Sequence, residues 1–348
     1  MGLSSNGCDR TPAGQIGLHM KHLRKFSLLV AMALIACAAP AYAAPDPLPS
    51  WNDTAPRKAI IAFVERVTKP GTPDFVPVPQ RIATVDNDGT LWAEQPIYFQ
   101  FAFAIDRVEA LAPLHPDWKG KEPFAAVIDR DMKRVMAAGD EGINQLIAAT
   151  HSGMTIESFN RIAGEWVRTK QHPTLKRPYA RCVYLPMLEL MTYLRANGFK
   201  TFIVSGGGTE FMRSFAEEIY GVPPEQVVGS NSRMKYQLRG DQPELLRMPE
   251  VEFVNDKDGK VIGIQKFIGR RPIAAFGNSD GDLQMLQWTA TGPGPRLALL
   301  VHHTDAVREW AYDRQSQVGT LDKALDAAQA GHWTVLSMKD DWKTIFPP

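Results

Sequence analysis

Four short apolar runs constrain this chain more than any other feature: Ile82–Val85, Thr201–Val204, Ile273–Phe276 and Leu297–Val301. Each is rich in Ile, Val, Leu and Phe and lacks polar alternation, the pattern of strands covered on both faces. Helical patterns separate them. Pro186 suits a first turn, Met187, Leu190, Met191 and Leu194 follow at helical spacing, and Asn197-Gly198 supplies a stop. Thr209 is placed to cap a further helix carrying Phe211, Met212 and Phe215. Strands alternating with helices imply right-handed βαβ units and an α/β, doubly wound (Rossmann-like) parallel sheet.

About a hundred residues separate the first run from the helix at 186, too many for a structureless loop. Their text is mostly helical in pattern ("FQFAFAIDRVEALA", "PFAAVIDRDMKRVMAAG", "ESFNRIAGEWVRT"). A helical cap inserted at 93–185 is therefore expected, with the core formed by 81–92 and 186–348 and a linker and N-terminal helix over 44–80. Between 228 and 266 a hairpin is expected, with "NDKDGK" as its turn.

The N-terminus reads as a targeting segment. Lys21, Arg24 and Lys25 precede the apolar run 26–36 and the small residues ending Ala41-Tyr42-Ala43, which together form a secretory signal peptide. Met20 is a more natural start than Met1, which makes 1–19 an upstream mis-start. The run is too short to span a bilayer, so no transmembrane segment is expected. Leu34-Ile35-Ala36-Cys37 also matches a lipobox, which would place a lipid anchor on Cys37. Soluble export to the periplasm or medium is the preferred reading of the two. Cleavage after Ala43 removes four basic residues and one acidic, taking the formal charge from +1 to −2. No global basic field points to nucleic acid. Cys182 alone remains, so no internal disulfide is available.

Three runs end in polar residues: Asp86-Asn87-Asp88-Gly89-Thr90, Ser205-Gly206-Gly207-Gly208, and Gly277-Asn278-Ser279-Asp280-Gly281-Asp282. Ligands of open α/β sheets bind beyond the carboxyl ends of the strands, so the three converge on one crevice. Two acids separated by one residue repel each other, and a turn needs only one of them; a cation or a phosphoryl group belongs there. A Ca²⁺ loop of the EF-hand type is excluded, since its twelfth position falls on Ile97. The adjacent His302 and His303 point to opposite faces of a strand and have no partner at ligand spacing; Thr304-Asp305 is expected to cap a helix carrying Trp310.

In this order, Asp86-x-Asp88-Gly89-Thr90, a strand ending in Ser205, Lys266 and the acidic 277–282 loop resemble the haloacid dehalogenase (HAD) superfamily of phosphohydrolases over residues 80–305. The helical insertion is similar to the C1-type cap of phosphoserine phosphatase-like members. The resemblance implies a Mg²⁺-dependent phosphatase acting on a small phosphorylated metabolite, which the N-terminal segment makes an exported one. It implies Asp86 as nucleophile forming an aspartyl-phosphate, Asp88 as general acid and base, and Ser205 with Gly206 and Gly207 as phosphate-binding groups. It also implies Lys266 as the neutralising cation and Mg²⁺ on Asp86, Asp88 and Asn278, with Asp282 supporting the metal site. Glu94 stands where such members place a substrate-recognising acid. The family usually has Gly-Asp where this chain has Gly277-Asn278, so the metal site carries one charge fewer. A non-catalytic phosphate-binding or envelope module and a haloacid dehalogenase are the competing readings.

Overall fold

A computed structural model describes residues 45–348, and Asp46–Pro348 forms one compact unit. The segment read as a signal peptide, the expected cleavage after Ala43 and Cys37 lie outside the described residues. Seven strands form one sheet: β1 (Ile82–Val85), β2 (Lys200–Gly208), β3 (Val227–Arg239), β4 (Gln242–Phe253), β5 (Ala274–Gly277), β6 (Leu297–His302) and β7 (Thr334–Ser337). Their spatial order is β4-β3-β2-β1-β5-β6-β7, parallel throughout except for β4, which runs antiparallel to β3. β1 is central, with Val85 in register with Ile203 on one side and Phe276 on the other.

Burial on both faces explains the missing polar alternation. Ala83 and Val85 enter a core with Ile60 and Val64 of the helix Ala55–Thr68 and Met187, Leu190 and Leu194 of the helix Leu185–Ala196. Ile82 points the other way, toward Met285 and Leu286 of the helix Leu283–Ala290 and Ala324 and Ala328 of the helix Lys323–Ala330. Each large apolar side chain so buried contributes about 1.5–3 kcal/mol.

The segment after β1 is helical, as its pattern predicts: Phe99–Leu111, Phe124–Ile128, Met132–Ala137, Gly139–His151 and Ile156–Thr169. It has a small core of its own around Phe101, Val108, Trp118, Phe124, Val135 and Leu146. Phe99 and Phe103 of the first helix pack instead into the main core, which ties the insertion to the sheet.

Four local expectations are corrected. The β3–β4 hairpin turns at Gly240, whose φ is +60°, and not at "NDKDGK"; that stretch leads into the helix Asp258–Gly263. β2 continues through Ser205 to Gly208, so the glycines are extended strand before a five-residue helix. Thr209 does not cap that helix; its hydroxyl accepts from the Gly229 N–H at 3.1 Å. No helix carries Trp310; Asp305 caps a turn through the N–H groups of Val307 and Arg308.

Candidate active site

The sheet ends β1 and β5 side by side, and the Asp86 N–H donates to the Phe276 carbonyl at 3.0 Å. The chain then winds tightly: the Asn87 carbonyl accepts from the N–H groups of Thr90, Leu91 and Trp92, and the Gly89 N–H returns to Trp92 O. Gly89 has φ +70°, a conformation that glycine alone adopts without strain. This turn directs Asp88 back over the strand end, where Trp92 Nε1 donates to its Oδ1 at 2.7 Å.

The cation beside Asp86 is Lys260 and not Lys266. Lys260 Nζ lies 2.7 Å from Asp86 Oδ1 and 2.6 Å from Asp282 Oδ1, fully buried. Lys266 is exposed on the following π-helical turn, its ammonium 4.9 Å from the centre of the Phe253 ring. Asp282 holds the third loop in place, its Oδ2 accepting from the N–H groups of Asn278 and Ser279. Asp280 is turned away and caps the helix Lys323–Ala330 through the N–H groups of Asp322 and Ala324.

One ammonium between two carboxylates leaves negative charge uncompensated, and Asp88 adds to it. Burial, with repulsion from Asp282, pushes the Asp86 carboxyl up to about 7 against the pull of Lys260. Burial raises Asp88 to about 6, partly offset by the Trp92 hydrogen bond. Burial would lower Lys260, but Asp282 and Asp86 outweigh it and hold the ammonium charged.

Ser205 is buried, and its Oγ accepts from the Gly207 N–H at 3.3 Å. Gly207 faces Asp88: a Cβ there would sit 3.7 Å from both Asp88 Oδ2 and Ser205 Oγ. Gly206 faces Asp256, with the corresponding distance to Asp256 Oδ1 at 3.5 Å. The structure thus brings Asp86, Asp88, Ser205, Gly207, Asn278 and Asp282 together and leaves Lys266 outside. Glu94 is also adjacent, but buried: its Oε1 accepts from Asn278 Nδ2 and from the Tyr312 hydroxyl, both at 2.7 Å. Its Oε1 faces Asn278 and Tyr312.

Residues missed in the sequence complete the surroundings. Gln100, on the first helix of the insertion, accepts from the Gly208 N–H at 2.7 Å. His303 donates from Nε2 to the Gly89 carbonyl at 2.8 Å and from Nδ1 to Glu309 Oε2 at 3.1 Å. Both partners are acceptors, so the ring carries both protons; burial opposes its charge, and Glu309 outweighs that and raises its pKa. Tyr184 donates to the other Glu309 oxygen at 3.0 Å. This buried pair braces the turn that carries Asp88.

The donor set fits a hard divalent cation. Asp86, Asp88 and Asp282 bring three carboxyl groups to the single ammonium of Lys260, which leaves negative charge for a further cation. No group of three or more His, Cys, Asp or Glu side chains is gathered for a metal among the described residues. The fit is to Mg²⁺, which takes one or two carboxylates and completes its shell with neutral oxygens; the Asn278 amide and the Asp88 carbonyl are of that kind.

A family model described as haloacid dehalogenase-like hydrolase matches residues 83–287. No curated protein matches the chain. Among solved structures, a conserved protein of unknown function from Anaerococcus prevotii DSM 20548 is 15% identical with a TM-score of 0.53, over 83% of this chain and 94% of that one. A protein of unknown function from Bordetella pertussis Tohama I is 14% identical with a TM-score of 0.49, over 74% and 99%. A probable phosphoserine phosphatase from Vibrio cholerae is 14% identical with a TM-score of 0.37, over 75% and 68%.

Proposed function

The chain belongs to the haloacid dehalogenase-like hydrolase family, and from that premise we propose an exported, Mg²⁺-dependent phosphatase of small phosphomonoesters. The observation that carries the reading is the buried Lys260 clasped by Asp86 and Asp282, with Asp88 fixed beside them by Trp92. A carboxylate attacks an anionic phosphate ester only where cations offset the charge.

Asp86 attacks phosphorus, forming the aspartyl-phosphate as the bond to the leaving oxygen breaks. Asp88 gives that oxygen its proton. A carboxyl raised to about 6 holds a useful fraction of protons near neutrality and still accepts one in the next step. Water, deprotonated by Asp88, then attacks phosphorus, which releases phosphate and restores Asp86. Lys260 neutralises the nucleophile and the phosphoryl group, and the Ser205 hydroxyl with the Gly206 and Gly207 N–H groups orients the phosphoryl oxygens. Mg²⁺, held by the Asp86 carboxylate, the Asp88 carbonyl and the Asn278 amide oxygen, would neutralise the remaining phosphoryl charge. Gln100 of the helical insertion closes directly on the strand end beside Ser205, which favours a small substrate.

Export rests on the basic, apolar and Ala-x-Ala segments of residues 21–43. No helix among the described residues is long and apolar enough to cross a membrane. Mass spectrometry of the exported chain distinguishes a start at Ala44 from an acylated Cys37.

The catalytic test compares wild type with Asp86→Asn on p-nitrophenyl phosphate, with Mg²⁺ and with EDTA. Turnover is expected for wild type with Mg²⁺ alone. Equal rates for the two proteins would overturn the enzyme assignment, and halide release from haloacids without added metal would favour dehalogenation.

A further inference from the structure

We infer that Glu94 is a positioning residue for the cation site, fixing Asn278 so that its carbonyl oxygen, not its nitrogen, is presented on the nucleophile side. The inference rests on the reading of a divalent cation bound beside Asp86.

The two ends of an asparagine amide have nearly the same shape, and their partners decide which way the group points. Glu94 Oε1 faces Asn278 at 2.7 Å and also accepts from the Tyr312 hydroxyl at 2.7 Å. Oε1 takes its hydrogen from the Tyr312 hydroxyl, so it presents a lone pair and not a proton to its neighbour, and the nitrogen of Asn278 is the end that faces it. The opposite end of the amide accepts from the Thr90 hydroxyl at 3.0 Å, on the turn that carries Asp86 and Asp88. The Asn278 backbone is held as well, its N–H donating to Asp282 Oδ2 at 3.0 Å. A reversed amide would set oxygen against oxygen at Glu94 and turn two N–H bonds toward a cation.

Two loops leave room for this pair. A Cβ on Gly89 would lie 2.0 Å from Asn278 Nδ2 and 2.4 Å from Glu94 Oε1. A Cβ on Gly319, whose φ is +67°, would lie 1.9 Å from Glu94 Oε1. Glycines from distant parts of the chain, both in the left-handed region, enclose one carboxyl–amide contact in a space with no tolerance for another atom. Orientation matters more here than at a carboxylate ligand, because Asp presents oxygen either way round and Asn only one way.

The test is calorimetric titration of Mg²⁺ into the EDTA-stripped chain, a readout independent of turnover. Glu94→Leu is expected to weaken binding by about tenfold or more, the usual effect of losing a partner behind a metal ligand. Glu94→Gln retains an acceptor oxygen for Asn278 and Tyr312, so binding is expected within about threefold of wild type. Asn278→Asp removes the need for orientation, and Glu94→Leu in that background is expected to cost less than about threefold. The role is overturned if Glu94→Leu binds as wild type does, if Glu94→Gln loses as much as Glu94→Leu, or if the loss persists on Asn278→Asp. Should Glu94→Leu not fold, Glu94→Ala takes its place in the same three comparisons. A wild-type chain that takes up no Mg²⁺ would overturn both the cation reading and this role, whereas wild-type binding with an unaffected Glu94→Leu would overturn the role alone.

Discussion

Replacing Lys260 with methionine tests the centre of the site directly. Its ammonium meets two buried carboxylates at 2.7 and 2.6 Å. At an effective dielectric of about 20, a contact of that length is worth roughly 6 kcal/mol before desolvation is subtracted. Removing one partner of a buried ion pair leaves the other charge uncompensated, at a cost of about 3–5 kcal/mol. Lys260→Met should therefore lower the unfolding free energy of the EDTA-treated chain at pH 7 by that amount, read in urea as a midpoint shifted by the loss divided by an unchanged denaturant slope. The penalty should shrink as pH falls toward 5, because Asp86, already raised to about 7 by burial and by Asp282, then takes a proton in place of its lost cation. Lys266→Met is the control. Its ammonium is exposed over the Phe253 ring, so the loss should stay within about 1 kcal/mol at every pH. A wild-type midpoint in Lys260→Met, or a penalty that does not respond to pH, would refute the assignment of Lys260 as the counter-ion of Asp86.

Three further outcomes are expected. Asp86, Asp88 and Glu94 titrate near 7, 6 and 8 in the folded chain, raised chiefly by burial above ordinary carboxyl values; such groups contribute stability that is present below pH 4 and lost as pH rises through those values. The metal-free chain should thus lose stability from pH 5 to 8.5 in urea titrations, and Mg²⁺ should restore more of it at pH 8 than at pH 5; a flat profile contradicts this. Gly89→Ala should cost about 1–3 kcal/mol for the backbone conformation alone and more for displacing Asn278, whereas Gly294→Ala, at φ +75° with open space around it, should show only the backbone cost in the same thermal melts. Gln100→Leu removes the acceptor of the Gly208 N–H and should raise KM roughly fivefold, the equivalent of about 1 kcal/mol, with the unfolding midpoint close to wild type.

The fold was legible because burial on both sides of the sheet leaves a direct trace in composition. Ile82–Val85 sends alternate side chains into two different cores, so every position must be apolar or small, and the run stands out. Leu297–Val301 is readable for the same reason. β7 was not legible, since Thr334–Ser337 is an edge strand of four residues and only Leu336 is fully buried. The hairpin was found but its turn misplaced. "RGDQ" and "NDKDGK" both offer glycine beside aspartate, and nothing local says which one reverses the strand; the cross-strand register from Asn231–Phe253 to Arg239–Gln242 decides for the first.

That misplaced turn also concealed the lysine. Read as a hairpin tip, "NDKDGK" puts Lys260 in solvent and makes the next lysine, Lys266, the natural candidate for the site. The chain instead enters a helix at Asp258, so Lys260 lies two residues into a helix packed against the sheet end and its side chain is buried. The strand-end motifs were readable because each of their polar groups sits within a few residues of an apolar run that fixes its position. Lys260, Tyr312 and His303 reach the site from elements whose placement depends on tertiary packing, and no spacing in the sequence encodes that. The Glu94 position shows the limit most plainly. A carboxylate eight residues after Asp86 is readable as close to the site, but its direction, toward Asn278, is set by Gly319 and Tyr312, more than two hundred residues away. A sequence motif locates the acids of such a site, and the direction in which each one points is set by the long-range contacts behind it.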